Sequence, residues 1–120
     1  MKQRAHVLVV DDQADNLLIL EDVLAEQYEV HPATNGREAL DYLAGGGGAD
    51  LILLDVMMPD VDGFEVCRRL KSSETTRSSP VIFLTGLDRP EDEELGFSLG
   101  AEDFIHKPIA PSIVLARVRT

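Results

Sequence analysis

Asp11, Asp12, Asp55, Thr85 and Lys107 are the side chains whose types and positions can do chemistry together. Each follows a short strand-like stretch, apolar over His6 to Val10, Leu51 to Leu54 and Pro80 to Leu84, and a fifth strand over Glu102 to His106. If those strand ends converge, three carboxylates share one crevice, and each close pair repels by about 4 kcal/mol at an effective dielectric near 20. One lysine cannot offset that, and about two negative charges remain for a hard divalent cation to neutralise. Mg2+ fits best, because it takes oxygen ligands and keeps several waters. Asp12, Asp55 and the backbone carbonyl of Met57 are the expected ligands, with Asp11 acting through water. An anionic phosphoryl group suits an open position on such an ion, facing the Thr85 hydroxyl, the Lys107 ammonium and loop N–H groups. Asp55 then reads as a nucleophile that becomes an aspartyl phosphate without a general base. Taken alone, Asp55 is equally readable as a helix-capping or solvated loop acid.

Convergence depends on the elements around these residues. Leu17, Leu20 and Leu24 recur at helical spacing between Ala14 and Gln27, and further helices are expected over 36–44, 64–71, 91–99 and 111–120. Tyr28 to Ala33 reads as a weaker strand, which brings the strands to five. Alternating strands and helices imply right-handed crossovers and a parallel sheet covered on both faces. The expected fold is α/β, flavodoxin-like and doubly wound, with strand order 2-1-3-4-5. That order sets the ends of the first and third strands side by side at the switch point, flanked by the fourth and fifth. In the stretch LILLDVMMPDVDGFEV, Pro59 and Asp62-Gly63 supply turn chemistry after Asp55. Gly45 to Gly48 reads as a flexible connection, lacking the Lys-Ser/Thr of a nucleotide-binding loop.

Asp11-Asp12, Asp55 within LDVMMPDVDG, Thr85 and Lys107-Pro108, in that order and spacing, resemble the receiver domain of two-component response regulators along essentially the whole chain. The resemblance implies that residues 1–120 are one phosphoacceptor domain, part of a longer protein or excised from one. It implies a sensor histidine kinase or histidine phosphotransfer protein as phosphoryl donor to Asp55, a requirement for Mg2+, and a cis Lys107-Pro108 peptide. It also implies self-phosphorylation with weak self-dephosphorylation rather than enzymatic turnover. A switch follows, in which the Thr85 hydroxyl moves toward the phosphoryl group and Phe104 turns inward behind it. Phe104 departs from the tyrosine common in relatives, so its rotamers differ by packing alone, and a static core ring is the alternative. The surface made by the fourth helix, fifth strand and fifth helix is implied as the output or homodimer contact, with Glu91 to Glu94 opposite Arg117 and Arg119 in charge. Gly86 leaves room beside the phosphoryl group. Met57 and Leu87 either flank that group with apolar side chains, slowing hydrolysis because neither orients a water, or are ordinary surface residues.

Composition narrows the alternatives. At 120 residues, with 44% hydrophobic and 28% charged, the chain suits one globular core. A net charge of -11 disfavours contact with nucleic acid or anionic membranes by this domain. The apolar run near the N-terminus is shorter than that of a signal peptide, and no stretch suits a membrane span, so a cytoplasmic location is the default expectation. A haloacid-dehalogenase-type phosphatase would carry its nucleophile after the first strand in a D-x-D arrangement, which adjacent Asp11-Asp12 does not match. A flavodoxin-like cofactor binder would need donors where these strand ends carry acids. Cys67 reads as a packing residue, and His6, His31 and His106 as scattered structural residues.

Overall fold

The computed structural model describes residues 4–86 and 89–119. Five strands alternate with five helices: β1 (Ala5–Val10), α1 (Ala14–Leu24), β2 (Tyr28–Ala33), α2 (Gly36–Ala44), β3 (Leu51–Asp55), α3 (Gly63–Lys71), β4 (Val81–Thr85), α4 (Pro90–Ser98), β5 (Asp103–His106) and α5 (Pro111–Arg119). All strand pairs are parallel, in the order β2-β1-β3-β4-β5. This is the flavodoxin-like architecture expected from the alternation of apolar runs. Pro32 lies opposite Val9 on β2, an edge strand, where a missing backbone donor is tolerated.

The apolar runs are continuous because both faces of the sheet are covered. Val7, Val9, Leu53, Ile82, Leu84 and Ile105 pack with Leu17, Leu20 and Leu24 of α1 and Val114 of α5. Leu8, Val10, Ile52, Leu54, Phe83 and Phe104 face the other way, onto Ala39 of α2 and Val66, Cys67 and Leu70 of α3. Cys67 is buried, its Sγ 3.6 Å from the Leu99 carbonyl, and burial pushes its thiol pKa up, in keeping with a packing role.

Four expectations need correction. Helix α1 stops at Leu24 rather than Gln27, because the chain must turn within three residues to enter β2. Gly63 is the first residue of α3, not a turn residue; Asp62 caps that helix by accepting from the Glu65 N–H at 2.9 Å. The left-handed residue in this loop is Asp60, at φ 67°. The run Gly45 to Gly48 is not a free connector, since the Tyr42 hydroxyl donates to the Gly48 carbonyl at 2.9 Å and a Cβ on Gly47 would overlap the Tyr42 ring. The histidines are not all scattered: His6 and His31, on neighbouring strands, meet at 2.8 Å.

Candidate phosphoacceptor site

Asp55 is the last residue of β3 and is 2% exposed. Two interactions hold it at the sheet's edge: the Val56 N–H donates to the Leu84 carbonyl at 3.1 Å, and the Gly63 N–H donates to the Val56 carbonyl at 2.9 Å. Asp11 continues from β1, fully buried, its N–H donating to the Ala33 carbonyl at 3.1 Å. Its Oδ1 accepts from the Gln13 N–H at 2.9 Å and its Oδ2 from the Asn16 amide at 3.2 Å. Asp12 is exposed. The carboxylates of Asp11, Asp12 and Asp55 present oxygens all within 4.8 Å of one another.

Lys107 answers from the end of β5. Its Nζ lies 3.1 Å from Asp55 Oδ1 and 3.1 Å from Asp11 Oδ2, and its backbone N–H donates to the Thr85 carbonyl at 2.8 Å. The Lys107-Pro108 peptide is cis. Thr85 ends β4, buried, level with His106 in the β4–β5 register. The four strand ends read from the sequence therefore do meet in one crevice, which the strand order creates at its switch point.

Burial, then the Asp11 charge, drive the Asp55 pKa up to about 6, while Lys107 pulls the other way without prevailing. Burial alone would lower the pKa of Lys107, but its hydrogen bond to Asp11 and the two carboxylate charges outweigh that and raise it. Among the described residues, Asp55 Oδ2 is buried without a hydrogen-bond partner. An orphaned carboxylate oxygen beside two further acids is a donor set that fits a hard divalent cation. Asp12 and Asp55 bring oxygens least occupied by protein donors, whereas both Asp11 oxygens are already engaged.

The neighbouring side chains divide. Met57 is 65% exposed at the mouth of the site, whereas Leu87 lies outside the described residues. No heavy atom of the described residues lies within 4 Å of where a Gly86 Cβ would sit, so their packing does not require that glycine. Phe104 is buried, its ring 5.5 Å from that of Phe83 and 5.0 Å, edge on, from that of Phe97. It fits there because α4 carries Gly96 against it, where any Cβ would overlap the ring. The sequence reading missed Gly96; a glycine in mid-helix was the available signal.

A five-stranded parallel α/β sheet with a carboxylate cluster and a lysine at its switch point defines the class: a doubly wound domain with an acidic site at the carboxyl ends of its strands. The chain belongs to the response regulator receiver domain family of two-component signalling, whose family model matches residues 7–119. It is 50% identical over 117 residues to the response regulator PleD of Caulobacter vibrioides, covering 97% of this chain and 26% of that protein. It is 44% identical over 114 residues to a probable cyclic di-GMP phosphodiesterase of Vibrio cholerae, covering 95% of this chain and 26% of the relative. The chain thus spans about a quarter of the length of these two curated relatives. Among solved structures, the chemotaxis protein CheY4 of Vibrio cholerae superposes with a TM-score of 0.91 at 32% identity, covering 98% of both chains. A BeF3-activated DrrB receiver domain superposes at 0.86 and 36% identity, covering 98% of this chain and 96% of that one. Among the described residues, no helix is long and apolar enough to cross a membrane.

Proposed function

We propose that this chain is a phosphorylation-dependent switch in which Asp55 accepts a phosphoryl group from a histidine kinase or histidine phosphotransfer protein. The observation that carries the reading is the buried Asp55 carboxylate, one oxygen on Lys107 and the other without a partner, beside two more acids. Asp55 forms the new P–O bond as the donor's P–N bond breaks, and the histidine nitrogen leaves with the electron pair. Lys107 stays charged beside the transferring oxygens, Asp11 holds Lys107 in place, and the hydroxyl of Thr85, buried at the end of β4, would donate to the product. Mg2+ held by Asp12, Asp55 and the Met57 carbonyl, with Asp11 behind them, would supply charge neutralisation for the incoming phosphoryl group. Phe104, already inward, would fill the space behind Thr85 in the switched state.

The direct test is addition of beryllofluoride with Mg2+, read by backbone NMR. Wild type is expected to show shifts at the ends of β3, β4 and β5, and Asp55→Asn none; the same response in both proteins would remove Asp55 from this role.

The readout surface proposed is α4-β5-α5, controlling an output domain or a second copy. Several of its polar groups are paired within the chain: Glu93 with His106 at 3.3 Å, Asp103 with Arg117 at 3.1 Å, and Arg89 with Asp92 at 3.1 Å. A dimer there would exchange exposed intrachain pairs for interchain ones, a small change for each pair that a phosphorylation-dependent shift of α4 can tip. Sedimentation is expected to show self-association strengthened by beryllofluoride; a monomer under both conditions would count against it.

A further inference from the structure

At the end of the sheet away from Asp55, His6 and His31 form a contact that phosphoryl chemistry does not use. His6 Nδ1 and His31 Nε2 are 2.8 Å apart, with ring centroids at 5.0 Å and planes within 8° of parallel. Taking 2.8 Å from 5.0 Å leaves 2.2 Å, about twice the centre-to-atom radius of an imidazole. The two nitrogens therefore lie almost on the line joining the ring centres. The rings meet edge to edge in a nearly common plane rather than face to face. That is the geometry of an N–H···N hydrogen bond, in which one ring donates and the other accepts. It leaves no room for a metal ion between the nitrogens, since both lone pairs would have to converge on a third point.

We propose that His6 and His31 form a proton-limited clasp that pins the edge strand β2 to β1 and opens when both rings are charged. The bond survives in a neutral pair or in a pair with one added proton. A second added proton sets N–H against N–H and two like charges at hydrogen-bond distance, so the contact cannot persist.

What hangs on the clasp is the whole lower corner of the domain. The Tyr42 ring of α2 lies 5.0 Å from His31, tilted by 30°. Gly47 lies against that ring, and the Tyr42 hydroxyl holds the Gly48 carbonyl. The circuit closes through Asp50, whose Oδ2 accepts from the His6 N–H at 2.7 Å while its own N–H donates to the His6 carbonyl at 2.7 Å. Among the described residues, the surrounding titratable groups are Tyr42 on α2, Asp50 before β3, Glu29 level with His6 in the β1–β2 register, and Arg4, which turns to the Ala25 carbonyl. Burial raises the Tyr42 pKa, so the phenol stays neutral through the acidic range. Glu29 and Asp50 are exposed, and neither bridges the two rings.

Folded protein with a closed clasp binds at most one added proton at this pair, whereas the unfolded chain binds two below about pH 6.5. The unfolded state then holds more protons, so acidification destabilises the fold by up to tenfold in the unfolding constant per pH unit.

Urea denaturation of this 120-residue chain from pH 7.5 to 4.5, compared with His31→Gln, tests this. Glutamine can hydrogen-bond His6 without titrating, and contributions from other groups, Asp55 included, cancel between the two proteins. The unfolding constant of wild type is expected to rise about tenfold more per pH unit below pH 6 than that of His31→Gln. Protection factors of the Tyr28, Glu29, Val30, His31 and Ala33 amides, each taken against the intrinsic exchange rate at the same pH, are expected to fall over the same range in wild type alone. Equal pH dependence in the two proteins would overturn the proposal. Should the variant not fold, imidazole nitrogen NMR of wild type decides: coupling across an N–H···N bond at neutral pH, lost on acidification, supports the clasp, and no coupling overturns it.

Discussion

Gly63→Ala is expected to destabilise the domain by about 3 kcal/mol or more and to weaken beryllofluoride binding at Asp55. The position is the first turn of α3, where alanine has the higher helix propensity by about 1 kcal/mol, so local preference alone would make this change stabilising. Packing reverses the sign. A Cβ there would overlap the Asp55 carbonyl oxygen and lie 2.8 Å from Val56 Cα, and both are backbone atoms that no rotamer change can move aside. Relief requires α3 to retreat from the end of β3, which breaks the Gly63 N–H bond to the Val56 carbonyl and unseats the residue that carries the site. Urea midpoints measure the effect, with Gly86→Ala as the control, since its Cβ would meet nothing within 4 Å among the described residues. A Gly63→Ala protein as stable as wild type would show that α3 does not seat on β3 as described.

Asp55→Asn is expected to be more stable than wild type in metal-free buffer near neutral pH. Asp55 has its pKa raised from 3.8 to about 6 on folding, so between those values the folded protein holds a proton that the unfolded chain releases. The stability tied to that proton is fully present below about pH 4 and is lost as pH rises through about 6. Above pH 7 the ionised, buried carboxylate costs about 3 kcal/mol relative to the unfolded chain, and asparagine removes most of that cost. Lys107 keeps Asp11 as a partner in the variant, so the lysine is not left buried and unpaired. The two proteins should converge in stability near pH 4 and separate toward pH 7.5 in denaturation experiments with chelator present. Millimolar Mg2+ should raise the stability of wild type and leave Asp55→Asn almost unchanged. A wild type as stable as the variant at pH 7.5 without metal would mean that the acid cluster is solvated rather than buried.

The same features that make Asp55 costly make it usable. A site short of positive charge stays available to a cation, and under the proposed function the stability forgone by the resting protein would be recovered when a cation and a phosphoryl group bind together. Phe104 is already buried against Gly96 of α4, so the inward ring position belongs to the resting fold.

Local pattern was enough to read the five strands, the five helices and the order that brings Asp11, Asp12, Asp55, Thr85 and Lys107 together. Fully apolar runs ending in polar residues mark buried strands and their crevice-facing ends, and both signals sit within a few residues of one another along the chain. Contacts between distant segments were beyond that reach. The paired rings of His6 and His31, 25 residues apart, depend on the β1–β2 register, and the demand for glycine at 63 and 96 depends on what crosses each helix rather than on the helix itself. The fold class and the acids of the site were thus determined by the sequence taken alone. Which oxygens are engaged, which glycines are irreplaceable and which histidines meet were decided only by tertiary structure, because each is a distance between residues that no local pattern encodes.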